Sequence, residues 1–381
     1  MSNHMFTGAS IGTIAGGTFI TNNSDNSVLE KLSAATAHNA LLDAPVRTDE
    51  FRCHRRTRES VLNNLERWAR GIWNEDEDKD SDEDEDTDED QDSDEDMNTN
   101  EAVDLYDDME TDDDMDTDEN MVTDEGLDWD NHKDSSIFWL NGGAGAGKTT
   151  VMQTLALHCV AEELALGCFF FSRSDPTRNT AEVLIPTLAY QLAQVYPPAR
   201  QVLEPILNRD PLIFKKSLQA QLFSLLVQPL QHLVRLGNIS DTPRSRRVFL
   251  IDGLDECDNP VQQQAIIHAV AAVCYEHHIP VKFLIASRPE LAISTSFRCY
   301  EERNCLLGTI ALSEDPDAKN DLRRFIEGEF NNIRTFHPFK RTIPEEWPCL
   351  SDINTLVQKS SSHFIYASTA MNGYLPYHNT A

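Results

Sequence analysis

The sequence predicts an α/β fold, a doubly wound parallel sheet of five strands with a helical insert. Three observations support this fold class. Short apolar runs alternate with helical patterns, one run leads through a glycine-rich loop into a helix, and the excess acidic residues are concentrated before that region. Alternating strands and helices of these lengths are typical of a parallel sheet that is covered on both faces.

Each predicted strand is a short apolar run bounded by turn residues, without the polar alternation of a half-exposed strand. The five runs are SIFWLN (136–141), GCFFFS (167–172), RVFLID (247–252), VKFLIAS (281–287) and LLGTIAL (306–312). Continuous apolar character indicates strands that are buried on both faces.

The helical patterns lie between and after these runs, at 149–165, 180–196, 218–236, 260–277 and 318–332. Pro186 should kink the second helix or shift its start, because proline lacks a backbone N–H. The stretch from 173 to 246 is long enough for a helical insert between the second and third strands.

Charge divides the 381-residue chain into two unlike parts. Residues 75–130 hold 32 of the 64 acidic residues and one basic residue, Lys79, which gives this window a net charge of −31 out of −32 for the chain. A window with so many like charges and so few apolar side chains cannot offset the entropy of ordering, so we expect a disordered acidic linker.

Two segments precede the linker. Residues 1–50 begin rich in Gly, Thr and Asn, which suggests a flexible leader, whereas Val61, Leu62, Leu65 and Trp68 recur at helical spacing. The second segment predicts an amphipathic helix that ends at Gly71 and packs on the domain after the linker.

Several protein classes are disfavoured by composition. No apolar run approaches the roughly 18 residues of a membrane span, and the N-terminus lacks a signal-peptide pattern, so we expect a soluble, cytoplasmic protein. The acidic tract would repel nucleic acid. The eight cysteines lack zinc spacing and are expected to be reduced thiols in or near the core.

The strongest motif is GGAGAGKT at 142–149, directly after a strand and before a helix. Glycines allow the backbone to wrap a phosphate chain, whose charge the loop amides and the helix N-terminus bind. Lys148 should reach the β- and γ-phosphates, Thr149 should bind Mg²⁺, and Thr150 should contact the α-phosphate. The predicted nucleotide-binding residues are Gly142, Gly143, Ala144, Gly145, Ala146, Gly147, Lys148, Thr149 and Thr150.

Further candidates follow two later strands. Asp252 ends the run VFLID and should hold Mg²⁺ next to the turn after the first strand. Asp255 and Glu256 could each orient or deprotonate an attacking water, and the sequence does not choose between them. Arg288, just past FLIAS, is placed to bond a γ-phosphate. We therefore expect the loop around 145 and the carboxylate at 252 to meet across adjacent strand ends.

The motifs FWLNGGAGAGKTT, CFFFSR, LIPTLAYQLA, VFLIDGLDEC and FLIASRPE, in this order, resemble the P-loop NTPase domain of fungal NACHT-type STAND proteins, the nephrocystin-like N-terminal group. The segment CHRRTRESVLNNLERWA and the later HFIYASTA resemble the flanks of these domains. The resemblance implies a switch driven by ATP or GTP with Mg²⁺, with slow turnover. It also implies a role in non-self recognition or cell death through self-association or partner STAND proteins.

The resulting domain plan has five parts. These are a leader (1–50), an amphipathic helix (51–73), the acidic linker (74–131), a NACHT domain (132–335) and a truncated C-terminal helical segment (336–381). Two other functions remain open. One is a non-catalytic interaction protein with structural nucleotide and an acidic docking tract. The other is a small-molecule kinase, although the helical insert shows no arginine cluster beyond the SRR at 245–247.

Overall fold

The computed structural model describes residues 24–46, 53–54, 57–72, 134–302, 307–338, 340–344, 346–361 and 363–372. The predicted acidic linker and the first part of the predicted leader lie outside these residues.

Five parallel strands form one sheet with the order β2-β3-β4-β1-β5. The strands are β1 (Ile137–Asn141), β2 (Ala165–Phe170), β3 (Arg247–Asp252), β4 (Val281–Ser287) and β5 (Leu307–Ala311). The predicted fold class is confirmed. The second strand begins two residues earlier than its apolar run indicated, and its pairing with β3 shifts register between Ala165 and Gly167.

Successive residues of each strand enter opposite cores. Ile137 and Trp139 lie in one apolar cluster, and Phe138 and Leu140 lie in the other. Both faces are therefore covered, which explains why the strands read as continuous apolar runs rather than alternating ones.

Twelve α-helices occur in the described part of the chain. They are α1 (Ser24–Ser33), α2 (Glu59–Arg70), α3 (Lys148–Ala161), α4 (Leu184–Val195), α5 (Ala199–Arg209), α6 (Leu218–Leu222), α7 (Gln228–Arg235), α8 (Pro260–Ala271), α9 (Leu291–Glu301), α10 (Ala318–Phe336), α11 (Leu350–Ser360) and α12 (Phe364–Asn372). All five predicted helical stretches contain helix. Pro186 lies in the first turn of α4, where its missing N–H would have no intrahelical partner. The connection between β2 and β3 is helical, as predicted.

The prediction of a flexible leader over 1–50 is wrong for residues 24–46. Val28 and Leu32 of α1 are buried in the same core as α4 and α5, and so are Ala37 and Ala40 after the helix. The backbone N–H of Ala37 donates to Thr187 Oγ1 at 3.0 Å. The polar composition of this segment suggested flexibility. Val28 and Leu32, four residues apart on α1, nevertheless pack against the distant helices α4 and α5.

The helix before the linker, α2, packs against α3 as expected. It ends at Gly71, whose φ of +70° is the left-handed cap conformation. Trp68 is fully buried, with its ring 5.1 Å from that of Phe138, and its Nε1–H donates to the Ser135 carbonyl at 2.8 Å. The helix is therefore anchored at the start of the domain that follows the linker.

The last three helices form a separate small core beyond β5. Leu322, Ile326 and Phe330 of α10 pack against Val357 of α11 and Ala367 of α12. None of the helices in the described ranges combines the length and apolar character that crossing a membrane requires.

Candidate functional site

The glycine-rich loop between β1 and α3 has the backbone of an anion cradle. Gly145 and Gly147 have φ of +74° and +92°, values that favour glycine, and Gly147 caps the N-terminus of α3. No acidic residue occupies the first turn of this helix. The positive end of the α3 dipole and the loop amides therefore make a site for a negatively charged group.

Lys148 is the first residue of α3 and folds back over the loop. Its ammonium donates to the carbonyl oxygens of Gly142 and Gly143 at 2.7 and 2.8 Å. Burial lowers the pKa of Lys148, while the nearby carboxylates of Asp255 and Asp252 act in the opposite direction. The lysine therefore shares one electrostatic environment with both acidic residues.

Asp252 is the last residue of β3 and is buried. Gly253, with φ of +71°, turns the chain so that a short helical turn carries Asp255 and Glu256. Asp255 is also buried, whereas Glu256 is half-buried. This turn presents three carboxylates at the carboxyl end of the sheet.

The predicted adjacency of the strands that carry the loop and Asp252 is wrong. β4 lies between β3 and β1, so the strands that lead to the two groups are not neighbours. Parallel strands and their motifs can be read from local patterns, but the order of strands depends on long-range packing. The loop and Asp252 nevertheless line one cavity of about 540 Å³.

This cavity collects most of the predicted site residues. The predicted residues that line it are Ala144, Gly145, Gly147, Lys148, Thr149, Thr150, Asp252, Asp255, Glu256 and Arg288. Gly142, Gly143 and Ala146 do not line it. The carbonyl oxygens of Gly142 and Gly143 accept from Lys148, and that of Ala146 accepts from Arg58 in the segment before α2.

Arg288 and Arg173 bind the carboxylate turn from two sides. The backbone N–H and Nε of Arg288 lie 2.9 and 3.2 Å from the two carboxylate oxygens of Asp255. Arg173, just past β2, donates through Nη2 to the Asp255 carbonyl at 2.6 Å and through its backbone N–H to Glu256 at 3.1 Å. Sequence reasoning missed Arg173, although it ends the CFFFSR motif.

The rest of the cavity lining comes from segments that are distant in sequence. Its lining includes Cys53, His54, Thr57 and Arg58 before α2, Phe325 and Glu329 on α10, and Phe364, Ile365 and Ser368 on α12. The rings of Phe325 and Phe364 are 5.9 Å apart, and that of His54 stands edge-on to Phe325 at 5.7 Å. No local motif marks these residues, because helices far apart in the chain bring them together.

Helix α12 lies directly against the glycine-rich loop. A Cβ atom placed on Gly145 would fall 2.2 Å from Ile365 Cγ2, and one on Gly143 would lie 3.9 Å from His363 Nε2. Gly145 is therefore required both by its φ and by the close approach of this helix.

The oxygen donors near the loop suit a hard cation bound together with a phosphate. Mg²⁺ in such sites takes one or two carboxylates, substrate phosphate oxygens and waters. Asp252 and the hydroxyl of Thr149 provide donors of this kind at the same cavity. The described residues contain no cluster of three or more His, Cys, Asp or Glu that could hold a metal without such a ligand.

Comparison with known proteins supports a domain assignment for part of the chain. Residues 116–288 match the family model described as Nephrocystin 3, N-terminal. A search of curated proteins finds no match. The matched range includes the loop, Asp252, Asp255 and Glu256, and its last residue is Arg288. From residue 116 to residue 288, the chain is thus similar to the N-terminal domain of nephrocystin 3, and the rest of the described fold lies outside that match.

Proposed function

We propose that the protein is a nucleotide-binding signalling NTPase that binds Mg-ATP or Mg-GTP and hydrolyses it slowly. The observation that carries this proposal is the shared cavity of the loop, Lys148, Thr149 and Asp252. Loop amides, a helix N-terminus, an ammonium and a carboxylate at one place are suited to a triphosphate with its metal. The resemblance of its sequence motifs to those of fungal NACHT-type STAND proteins favours a switch role in non-self recognition or cell death.

The residues that line the cavity suggest how a nucleotide is oriented. The phosphates would lie against the loop and α3, with Thr149 and Asp252 holding Mg²⁺, which neutralises phosphate charge. The lining of the same cavity includes the aromatic side chains of Phe325 and Phe364 and the ring of His54. These rings can contact the face of an adenine or a guanine base.

The two candidate acids have different surroundings, which suggests different roles. Asp255 is buried and has both oxygens occupied by Arg288. Glu256 is less buried, and its carboxylate accepts a hydrogen bond from the backbone N–H of Arg173. We assign Glu256 to orienting and deprotonating the attacking water, and Asp255 to holding Arg288 where it can bond a γ-phosphate.

The binding site is tested by Lys148→Ala in the full chain, using a fluorescent triphosphate analogue with Mg²⁺. Loss of the charged contact should weaken binding by roughly tenfold to a hundredfold or more. Lys216→Ala is a matched control, because Lys216 pairs with Asp210 on the helical insert and does not line the cavity. Tight Mg-ATP and Mg-GTP binding by Lys148→Ala would refute the site.

Catalysis is tested separately by single-turnover hydrolysis of bound ATP and GTP. Formation of the diphosphate and free phosphate supports the NTPase. Binding without product favours the non-catalytic interaction protein, and phosphate transfer to an added acceptor favours the kinase. Self-association is proposed on the resemblance, and its test is molecular mass in solution with triphosphate compared with diphosphate.

A further inference from the structure

Arg58 occupies an unusual position for a charged residue. It precedes α2 with a left-handed φ of +58° and is only 3% exposed. A non-glycine residue adopts this conformation at a cost, and it persists where surrounding contacts fix it. The backbone N–H of Arg58 donates to Asp321 Oδ2 on α10 at 2.8 Å, which supplies such a contact.

The guanidinium group of Arg58 joins three further elements. Nη2 donates to the carbonyl of Ala146 in the glycine-rich loop at 3.1 Å. Nη1 pairs with the buried carboxylate of Asp315 and lies 3.5 Å from the Leu312 carbonyl, just past β5. The cation lies 5.3 Å from the centre of the Phe364 ring on α12. One side chain therefore contacts the loop, the end of the sheet and the C-terminal helices.

The contact with Ala146 determines how part of the loop is oriented. A trans peptide is planar, so its carbonyl and the following N–H point in opposite directions. Holding the Ala146 carbonyl toward Arg58 turns the N–H of Gly147 away from the guanidinium. Gly147 lines the cavity and caps α3. The direction of a loop amide thus depends on an arginine 88 residues earlier in the chain.

The charge of Arg58 is already balanced within the protein. Its side chain and that of Asp315 are 4% and 5% exposed, and the two form an ion pair. A guanidinium can bond the carboxylate and a carbonyl at once because its N–H donors form a rigid fork. This geometry suits a residue that shapes the loop rather than one that binds the ligand.

We infer that Arg58 is a positioning residue that sets the glycine-rich loop in its anion-binding conformation and couples that loop to α10 and α12. The inference rests on the proposed nucleotide site for its functional consequence. The ordering of the loop by Arg58 does not depend on bound nucleotide, so it can be tested in the protein without nucleotide.

Hydrogen exchange of the full chain without nucleotide, followed on peptides that cover 142–150, measures loop order. Arg58→Lys keeps a charge for Asp315 but cannot span both acceptors. Loop amides should exchange faster by roughly tenfold to a hundredfold, while peptides from β3 and β4 stay unchanged. Arg70→Gln is the matched control, because it removes an ion pair between α2 and Glu162 away from the loop. Wild-type exchange of the loop in Arg58→Lys would overturn the inference.

A second variant keeps the test decisive if Arg58→Lys is globally unfolded. Arg58→Gln with Asp315→Asn removes both charges together, leaves no lone buried ion, and should show the same selective increase in loop exchange. Nucleotide affinity is then measured on whichever variant is folded. A drop of roughly tenfold or more supports the coupling, and wild-type affinity with a loosened loop would refute it. If the wild-type chain binds no nucleotide, the proposed function fails while the exchange result still decides the role of Arg58.

Discussion

Arg288 holds both oxygens of Asp255, through its backbone N–H at 2.9 Å and its Nε at 3.2 Å. The pair links the end of β4 to the turn after β3, and both residues line the cavity. Asp255 thereby restrains the backbone of Arg288 as well as its side chain. This separates the two neighbouring acids, since Glu256 contacts the amide of Arg173 instead.

Glu256→Gln should leave Mg-triphosphate binding near wild type and slow hydrolysis by roughly a hundredfold or more, because an amide cannot accept the proton of the attacking water. Single-turnover rates and affinities measured on the same preparation separate the two effects. Unchanged turnover would move the water-activating role to Asp255 or to another residue.

Asp255→Asn should act on the recognition of the γ-phosphate. Because this change releases Arg288, we expect the preference for triphosphate over diphosphate to fall. The affinities of each variant for both nucleotides measure this preference. Glu290→Gln serves as the control, because the side chain of Glu290 forms a long, exposed ion pair with Arg173 at 3.8 Å and does not line the cavity. An unaltered ratio of affinities in Asp255→Asn would show that the pair does not position Arg288 for this purpose.

Gly145→Ala should weaken nucleotide binding, since the added Cβ would meet Ile365 Cγ2 at 2.2 Å and φ is +74°. Ile365→Gly in the same chain removes both clashing atoms, Cγ2 at 2.2 Å and Cβ at 2.8 Å, and should restore part of the affinity. Gly237→Ala is the matched control, with φ of +75° and nothing within 4 Å of the added atom. It should cost about 1–2 kcal/mol of stability without changing affinity. If Ile365→Gly restores none of the affinity, contact with α12 is not the reason that position 145 needs glycine.

Leu32→Ala should lower the free energy of unfolding by about 2–5 kcal/mol, because Leu32 is fully buried against the helical insert. Val46→Ala, at a side chain that is 50% exposed, should change it by less than about 0.5 kcal/mol. Denaturant titration of both variants gives the comparison. If both variants lower the free energy of unfolding by the same small amount, the packing of residues 24–46 does not contribute to stability.

The stability of the protein should rise with pH between about 8 and 10.5 through Lys282. Burial, with help from the charge of Arg246, lowers the pKa of this lysine from 10.5 to about 8, while Asp134 acts in the opposite direction. The folded protein then binds fewer protons than the unfolded chain in that window, so stability is gained as pH rises and lost as it falls through 8.

The measurement is the unfolding free energy of the wild type minus that of Lys282→Met at each pH, which cancels the other titrating groups. The difference should shift in favour of the wild type by an amount on the order of 3 kcal/mol across the window. A flat difference would mean that Lys282 titrates normally despite being 2% exposed.

The sequence indicated those features that depend on neighbouring residues. Apolar runs predicted the strands, and helical spacing predicted α2 with its glycine cap. The glycine-rich loop with Lys148 was predicted from its motif and from the strand and helix on either side of it. Pro186 marked the first turn of α4 because the constraint it imposes is local. Each of these signals spans no more than about one helix or strand.

Features that depend on distant packing were missed. The place of β4 between β3 and β1 follows from packing of the whole sheet. Helix α5 contains Pro205, which local rules count against a helix. The role of Arg58 was also missed, because its acceptors lie 88 and 257 residues away along the chain. Residues of this kind become recognisable only when the fold brings their partners together.

The junctions on either side of the acidic run lie side by side. Trp68, near the end of α2, donates to the Ser135 carbonyl. Lys282 donates to the Trp68 carbonyl, and the charge of Asp134 acts to raise the pKa of this lysine. Two chain ends held this close can be bridged by a few residues or by many without moving either one. The domain can therefore accept a longer, shorter or exchanged segment at this junction while the cavity keeps its shape.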